Sequence, residues 1–441
     1  MPITNIAITA ASTGAAPVFR ATTADPTKAI ASQVLDRPKT QYINGSGMSF
    51  MNGTLTSFPV NGSNTETYFL PNEDCISEIL LQMSFNCTLD SDEQVSTTLL
   101  LDLINKIEMK VGNLTIQTIL PGDIYARNLT ENGHLLKVEH SGTTTSPSST
   151  GIHSDGTYFD FSMSVPFIGR NSGLERSFLQ TGSVAQQLTM KVTYNKNPGL
   201  AHATTAIHNL IAASNITNFK TGICVFSHNM TLTEKNLIAS GPSIQRSVKT
   251  SQGIRFAENF TASRDNTSFT FNLSSIDINV THILLSLERG VFSGTGDHHA
   301  SLTKNFVTTG TCWRPRDLSE NVGEATVGVL KGWLKSADLI LENDRTNDIP
   351  AACITTNRLE QFGLSSVDNK NIYIIKLGET AFSTAGIPFS KLNQKKLKLT
   401  FNALAVANLR GSTDNNQCIL NVTCCGTKVQ TLVSSTMSFT S

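Results

Sequence analysis

Few residues of this chain stand at a spacing that catalysis or metal binding requires. Asp297, His298 and His299 are adjacent in a Gly-rich segment, and two imidazoles beside a carboxylate could bind a metal. Adjacent loop residues rarely converge on one ion without distant partners, so we expect a solvated loop here. The chain has no GxSxG nucleophile elbow, Walker A loop, dinucleotide fingerprint or zinc-deaminase signature.

Cysteine is the next residue type that could do chemistry. The N-terminal residues lack the basic and apolar regions of a secretory signal peptide, so we expect reduced, mostly buried thiols rather than a disulfide framework. Cys424 and Cys425 are neighbours in a predicted strand, where side chains alternate between faces, which predicts one core and one surface thiol. The eight cysteines show no CxxC pair and no metal-ligand spacing: Cys75, Cys87, Cys224, Cys312, Cys353, Cys418, Cys424 and Cys425.

Two acidic pairs and one aromatic–basic cluster complete the candidates. Glu73–Asp74 and Asp92–Glu93 flank predicted strands and are interpreted as solvated loop charges. A carboxylate pair assembled from distant strands, as in glycosidases on sandwich folds, stays open. Trp313, Arg314 and Arg316 could anchor an interface, since Trp and Arg are enriched at binding hot spots, or could pack on their own barrel. No catalytic, cofactor-binding or metal-binding residue is therefore predicted, and no cofactor.

The composition describes a neutral, polar but weakly charged chain. Lys+Arg and Asp+Glu are both 34, hydrophobic residues are 39% and charged residues 15%, and Ser plus Thr make 98 of 441 residues. This excludes collagen, coiled coil and charged disordered tails. Sequence-specific or bulk nucleic-acid binding is not expected, because neutralising phosphates needs surplus Lys and Arg. No apolar run approaches the roughly 18 residues of a membrane span.

Apolar and polar residues alternate in several stretches of both halves of the chain. Successive side chains of a strand face opposite sides, so this pattern predicts strands with one buried and one wet face, as in antiparallel sandwiches. The clearest stretches are Ile79–Cys87, Ile107–Val111, Phe159–Val165, Leu188–Tyr194, Phe269–Leu273 and Leu397–Phe401.

Helices are expected only in connections between strands. One follows Pro121 and ends near Gly133, and another covers 173–182. Segments rich in Gly, Ser and Thr are expected to be surface loops, and long loops joining short strands favour a jelly roll. These loops are 141–156, 293–301 and 411–417.

The two halves end alike, which predicts two similar units. Val165–Phe167 precedes the alternating stretch 186–195, and Ile387–Phe389 precedes the stretch 395–403. We predict an all-β chain of two tandem eight-stranded jelly-roll barrels with short helices in the loops. The predicted division is an N-terminal arm over 1–40, a first jelly roll over 41–205, a linker over 206–220 and a second jelly roll over 221–441.

Three blocks of this sequence resemble double jelly-roll major capsid proteins of icosahedral double-stranded DNA viruses. Segment 103–133 resembles their strand–turn–strand–helix block, with Gly112 in the turn. Segments 386–401 and 418–439 resemble the C-terminal end of that family. Segment 159–192 resembles a block of apolar strand, Pro-Phe, Arg, Gly-Leu and closing strand, at Pro166, Phe167, Arg170, Gly173 and Leu174.

The resemblance implies a structural protein and not an enzyme. It implies homotrimers with a pseudo-hexagonal footprint that tile an icosahedral shell, so the expected location is the virion, after assembly in the host cytoplasm or nucleus. Expected partners are further copies of the chain, minor capsid or cement proteins, and an inner membrane beneath the shell. Loops 141–156 and 293–325 would form outer towers and clasps.

Two other functions stay open at this point. One is a carbohydrate-binding or carbohydrate-active β-sandwich protein. The chain has only two tryptophans, which argues against this function. The other is a minor or vertex capsid protein with the same strands and a different oligomer.

Overall fold

A computed structural model describes most of both predicted units. The predicted arm 1–40 and loop 293–325 lie outside the described residues, as do loop 141–156 apart from Ser141 and loop 411–417 apart from its last two residues. The described residues are 43–57, 64–71, 73–87, 93–95, 99–130, 136–141, 158–170, 179–181, 186–194, 201–203, 216–230, 244–256, 268–291, 334–342, 344–345, 349–350, 372–377, 386–401, 416–433 and 436–440.

The first barrel consists of two sheets that enclose one core. Sheet 1A has the order β1-β12-β3-β8-β7 with β9 beside β3, and sheet 1B has the order β2-β10-β5-β6. The elements are β1 (Ile43–Asn52), β2 (Thr65–Phe69), β3 (Cys75–Cys87), β4 (Glu93–Val95), α1 (Leu99–Leu103), β5 (Ile104–Val111), β6 (Leu114–Ile119), α2 (Pro121–Thr130), β7 (Leu136–Ser141), β8 (Tyr158–Ser164), β9 (Leu179–Gln180), β10 (Leu188–Tyr194), β11 (Ala201–Ala203) and β12 (Ile216–Met230).

The second barrel repeats this construction. Sheet 2A has the order β13-β22-β15-β19, with β20 beside β15 and β23 beside β22, and sheet 2B has the order β14-β21-β16-β17 with β18 beside β16. The elements are β13 (Ile244–Phe256), β14 (Ser268–Asn272), β15 (Asn279–Val291), β16 (Leu334–Leu341), β17 (Asp344–Arg345), β18 (Ile349–Pro350), β19 (Ile372–Lys376), β20 (Ile387–Pro388), a 3-10 turn (Phe389–Lys391), β21 (Lys395–Phe401), β22 (Asn416–Val433) and β23 (Thr436–Thr440).

Both barrels have the same strand order once the additional strands are set aside, which are β4, β7, β9 and β11 in the first barrel and β18, β20 and β23 in the second. Counted along the chain, the eight main strands of the described part of each unit form one sheet in the order 1-8-3-6 and one in the order 2-7-4-5. This antiparallel order is that of a jelly roll, in which two Greek keys fold over one core. The predicted fold class, two tandem eight-stranded jelly-roll barrels, is confirmed.

The strand pairing corrects the predicted division between the barrels. Strand β12 (Ile216–Met230) pairs with β1 and β3, so it is the eighth strand of the first barrel, although the sequence prediction assigned 206–220 to a linker and 221 onward to the second barrel. Its register shifts between Thr217 and Lys220 and again at Phe226, which breaks the alternation that would have identified it. We propose that the barrels divide after Met230.

Burial follows the predicted alternation. Strands β3, β5 and β10 place every second side chain in the core and leave the intervening ones partly exposed, as do the described side chains of β21. The matched Pro-Phe motifs also agree, because Phe167 and Phe389 are both buried. The seventh strands β10 and β21 were therefore correctly matched from the sequence.

The helix predictions had a mixed outcome. Helix α2 occupies Pro121–Thr130 as predicted, while Gly133 lies outside the described residues. The predicted helix over 173–182 is wrong at Leu179–Gln180, which form β9 and pair with β3; most of its remainder is outside the described residues. Helix α1, a single turn of leucines and one aspartate, is too short to show a helical period.

A group of stacked phenylalanines fills the centre of the first barrel. The ring centroids of Phe85 lie 5.5 Å from Phe159 and 5.8 Å from Phe161, and all three side chains are buried. The stack crosses from β3 to β8 and holds these neighbouring strands in register.

We expect Phe159→Ala to lower the free energy of unfolding by about 3–5 kcal/mol, because it removes a buried ring and leaves a cavity. Phe69→Ala is the matched control, since Phe69 is 65% exposed. Urea unfolding followed by circular dichroism measures both. Equal losses for the two variants would contradict the assigned core.

Candidate functional site

The Asp297–His299 cluster and Trp313, Arg314 and Arg316 are outside the described residues. Within the described ranges, no three His, Cys, Asp or Glu side chains are close enough to hold a metal ion. Neither described helix has the length and apolar character needed to cross a membrane.

One acidic pair differs from its predicted role. Asp74 is buried, and its Oδ2 accepts a 2.7 Å hydrogen bond from the Met230 backbone N–H at the end of β12. Its own carbonyl accepts a hydrogen bond from the Thr181 N–H. The prediction of a solvated charge is therefore wrong for Asp74, which ties three segments together. Asp92 lies outside the described residues.

The vicinal cysteines are also buried differently from the prediction. Cys424 points into the core of the second barrel, and Cys425 points away from that core as predicted, but both are buried. The predicted surface thiol is wrong because the first barrel covers it. The five cysteines with described side chains form no disulfide with one another. Burial raises the pKa of the Cys424 thiol well above its usual value, which keeps it protonated.

The contact that covers Cys425 is the junction between the two barrels. Helix α2 packs against β13, β15 and β22, and strand β6 packs against β13. Apolar side chains on the outer face of sheet 2A, the face turned away from the second barrel's own core, join the core of the first barrel. They include Leu284, Ile374 and Cys425, all buried.

Helix α2 begins with a capping arrangement that reaches the second barrel. Pro121 occupies the first helical position, where its missing N–H costs nothing. Two residues later, Asp123 Oδ2 accepts a 3.0 Å hydrogen bond from the Leu120 N–H, and its Oδ1 accepts a 2.6 Å bond from the Thr423 hydroxyl of β22. The same carboxylate therefore caps the helix and binds the second barrel.

Two glycines make this close approach feasible. A Cβ on Gly253 of β13 would overlap the Asp123 carboxylate, and a Cβ on Gly122 would overlap the Asn421 side chain. A larger residue at either position would force the facing side chain to move. Gly253 and Gly122 therefore allow the outer face of sheet 2A and the start of α2 to meet.

Gln117 of β6 forms the second polar contact of the junction. Its Nε2 donates to the Ser251 carbonyl of β13 at 3.2 Å and to the Pro166 carbonyl at 3.4 Å. Its Oε1 accepts from the Ile168 N–H at 2.6 Å. Beside it, the Gly169 N–H donates to the Lys249 carbonyl at 2.9 Å. The loop after β8 is therefore fastened to sheet 2A through main-chain groups.

Burial at the junction shifts the pKa values of two ionisable groups. Burial raises the pKa of Asp123 to about 6, although its hydrogen bonds to Thr423 and Leu120 act in the opposite direction. Burial also lowers the pKa of His282 on β15 to about 3, and the charges of Lys249 and Arg127 add to this effect. Both shifts favour the neutral form, as expected for groups removed from water.

A second buried carboxylate, that of Glu66, joins the two sheets of the first barrel. Its Oε1 accepts from the N–H groups of Thr54 and Leu55 and from the Thr221 hydroxyl, at 2.7–2.8 Å. Its Oε2 accepts from the hydroxyls of Tyr68 and Tyr194 at 2.7 and 2.8 Å. All of these donors belong to the barrel itself, so Glu66 is a structural anchor.

Glu66 also bears on the carbohydrate-active alternative. Glycoside hydrolysis uses two carboxylates about 5–10 Å apart on either side of an open cleft. Glu66 is only 1% exposed, and its hydrogen-bond partners within the described residues are hydroxyls and backbone amides. It therefore lacks the solvent access that the reaction needs.

Sequence analysis missed both carboxylates as structural groups. For Glu66 a signal existed: it occupies the inward-facing phase of β2 beside Tyr68, where alternation calls for an apolar residue. For Asp123 the signal was only its place in a helix start, which does not reveal a partner 300 residues away in the chain.

Comparison with known proteins identifies this architecture. The chain superposes on PBCV-1 VP54, as fitted into a reconstruction of the virophage Sputnik, with a TM-score of 0.60 and 13% identity, over 91% of this chain and 97% of that one. It superposes on the Faustovirus major capsid protein with a TM-score of 0.55 and 11% identity, over 98% and 97%. The fold is the double jelly roll of viral major capsid proteins.

The same fold is found in the Sputnik virophage structure, with a TM-score of 0.56 and 9% identity over 91% of this chain and 89% of that one. No protein-family model matches the sequence, and no curated protein matches it. The double jelly roll is thus recognisable here through strand order and core packing, at an identity where sequence comparison fails.

We expect Asp123→Asn to change how stability depends on pH. The pKa of Asp123 is raised from 3.8 to about 6 in the folded state, so folding favours the protonated carboxyl. The stability gained from this group is therefore fully present below pH 3.8 and is lost as pH rises through 6. At about 1.4 kcal/mol per pKa unit, wild type should lose a few kcal/mol over this window relative to the always-neutral variant.

Urea unfolding of both proteins at pH 4.5 and pH 7 measures this difference. Asp277→Asn, at a carboxylate that is 57% exposed, controls for the loss of a negative charge. A stability difference between Asp123→Asn and wild type that is the same at both pH values would contradict the raised pKa of Asp123.

We expect Gly253→Ala to destabilise the protein by about 1–3 kcal/mol, because the new methyl group overlaps the Asp123 carboxylate. Adding Asp123→Ala should recover part of this loss, since it makes room for the methyl group. A double-mutant cycle from thermal or urea unfolding measures the coupling. Strict additivity of the two losses would contradict the contact.

Proposed function

We propose that this chain is the major capsid protein of an icosahedral virus and that its function is structural. The observation that carries the proposal is the junction: two barrels of the same strand order are fixed side by side by a buried, hydrogen-bonded contact. Such a chain is a rigid two-barrel building block. Three copies around a threefold axis place six similar barrels in a ring, which gives a pseudo-hexagonal capsomer able to tile a flat facet.

The solved structures support this reading through their shared architecture. The PBCV-1 capsid and the Faustovirus major capsid protein have the same tandem fold along nearly their whole length. The near-zero formal net charge fits dense packing of identical units, because repulsion between copies is then small. The proposed location is the virion shell, with assembly in the host cell.

The remaining expectations belong to the same proposal. Minor capsid or cement proteins and an inner membrane are proposed partners, met by the N-terminal arm beneath the shell. Loops 141–156 and 293–325 are proposed to form the outer towers and clasps. No enzymatic activity is proposed.

Native mass spectrometry of the purified chain tests the proposal, with a stable trimer as the expected result. A pentamer would favour the vertex or minor capsid protein, and a monomer would favour the carbohydrate-active or carbohydrate-binding protein. Electron microscopy of the assembled material should then show hexagonal arrays with one trimer per pseudo-hexagon.

A further inference from the structure

Strand β23 of the second barrel places apolar side chains against the first barrel. Met437 of β23, Leu432 of β22 and Val248 of β13 are all buried, and they lie in the same apolar cluster as the core of the first barrel. None of the three lies in the cluster that forms the core of their own barrel. Phe439 of β23 is partly buried against the first cluster as well. These residues therefore extend the junction between the barrels.

The contacts of the junction follow β22 and its neighbour β13 along the strands. The Asp123 carboxylate binds the Thr423 hydroxyl near one end of β22. Further along, Lys249 of β13 stands opposite Thr427, and its carbonyl accepts the hydrogen bond from the Gly169 N–H. Leu432 lies beyond these residues, beside the start of β13. The contact made by β23 is therefore at the opposite end of the junction from the Asp123 bond.

Strand β23 is attached to the second barrel along one edge. It pairs with β22 over Val429–Val433, next to the stretch of β22 that pairs with β15. Within the described residues it pairs with no other strand, and its Ser438 and Thr440 are exposed. A five-residue strand held on one side opens at a lower free-energy cost than the central strands of a sheet. The strand can therefore detach while the second barrel keeps its core.

We propose that β23 (Thr436–Thr440) is a releasable strap that holds the barrel junction closed. While the strap is docked, Met437 and Leu432 bury apolar surface against the first barrel. When it detaches, that burial is lost and the barrels separate from this end, although each barrel stays folded. The proposal goes beyond the proposed function, because it concerns a single chain and holds whatever oligomer the chain forms.

Two adjacent cysteines report whether the junction is open. Cys425 is buried under the first barrel, whereas Cys424 is buried in the core of the second barrel. N-ethylmaleimide reacts with a thiol only when solvent reaches it. Opening of the junction should therefore label Cys425 and spare Cys424, while unfolding of the second barrel should label both. Fragmentation in mass spectrometry assigns the label to one cysteine or the other.

A charge on the buried side of the strap should release it. We expect Met437→Asp in the full-length chain to raise the labelling rate of Cys425 by roughly tenfold or more, because a carboxylate is unfavourable in an apolar cluster. The labelling rate of Cys424 should stay at its wild-type value. Ser438→Asp is the matched control, since Ser438 is the next residue of the same strand and is exposed. Both of its labelling rates should equal those of wild type.

Two results would overturn the proposal. One is an unchanged Cys425 rate in a Met437 variant that circular dichroism shows to be folded; Met437→Ala, with a smaller expected increase, provides this test if Met437→Asp does not fold. The other is an equal rise at Cys424 and Cys425. Met437 would then stabilise the second barrel itself, for instance through the 3.2 Å hydrogen bond that Gln430 Nε2 donates to its Sδ.

Discussion

The arrangement of the two barrels depends on burying the outer face of sheet 2A. That face carries Leu284, Ile374 and Cys425 where an exposed sheet would carry polar residues. Apolar burial is worth roughly 25 cal/mol per Å². Covering these side chains therefore stabilises the contact between the two barrels. Helix α2 supplies the covering surface. The two barrels therefore form one unit.

Polar groups at the junction determine how the barrels meet rather than whether they do. Apolar contacts are non-directional, whereas Asp123 can reach the Thr423 hydroxyl and the Leu120 N–H together only in one arrangement. Gln117 likewise joins β6, the loop after β8 and strand β13. Because an unpaired buried polar group is costly, sliding one barrel along the other would break these bonds without replacement. These hydrogen bonds therefore fix the position of one barrel along the other, in addition to the apolar contacts that hold the barrels together.

The two barrels share a strand order and differ in what surrounds them. Each core contains a buried charged residue whose hydrogen bonds are made within its own barrel. Glu66 accepts from donors of the first barrel, and Lys395 donates to the carbonyls of Ile276 and Phe389 in the second. Chemistry on a substrate needs an accessible group with spare hydrogen-bonding capacity. Glu66 and Lys395 are instead buried and hydrogen-bonded within their barrels. The barrels also differ on their outer faces, because that of sheet 2A is covered by the first barrel.

The sequence by itself determined the class of the fold and much of its core. Alternation in β3, β5, β8 and β10 predicted which side chains are buried, because a strand's period of two is a local property of the backbone. The Pro-Phe motifs at Phe167 and Phe389 are also local features of the sequence, and they indicated that the two halves of the chain are similar. The start of α2 was readable from Pro121 and Asp123.

Only the tertiary structure decided where the barrels divide, which outer face is covered and what the buried acids bind. Strand β12 was missed because its register shifts interrupt the alternation. Cys425 was misjudged and the role of Asp123 was missed because their surroundings come from the other barrel, and Thr423 is 300 residues from Asp123 along the chain. Whether an outward-facing residue meets water or protein depends on long-range packing, and a local pattern carries no record of it.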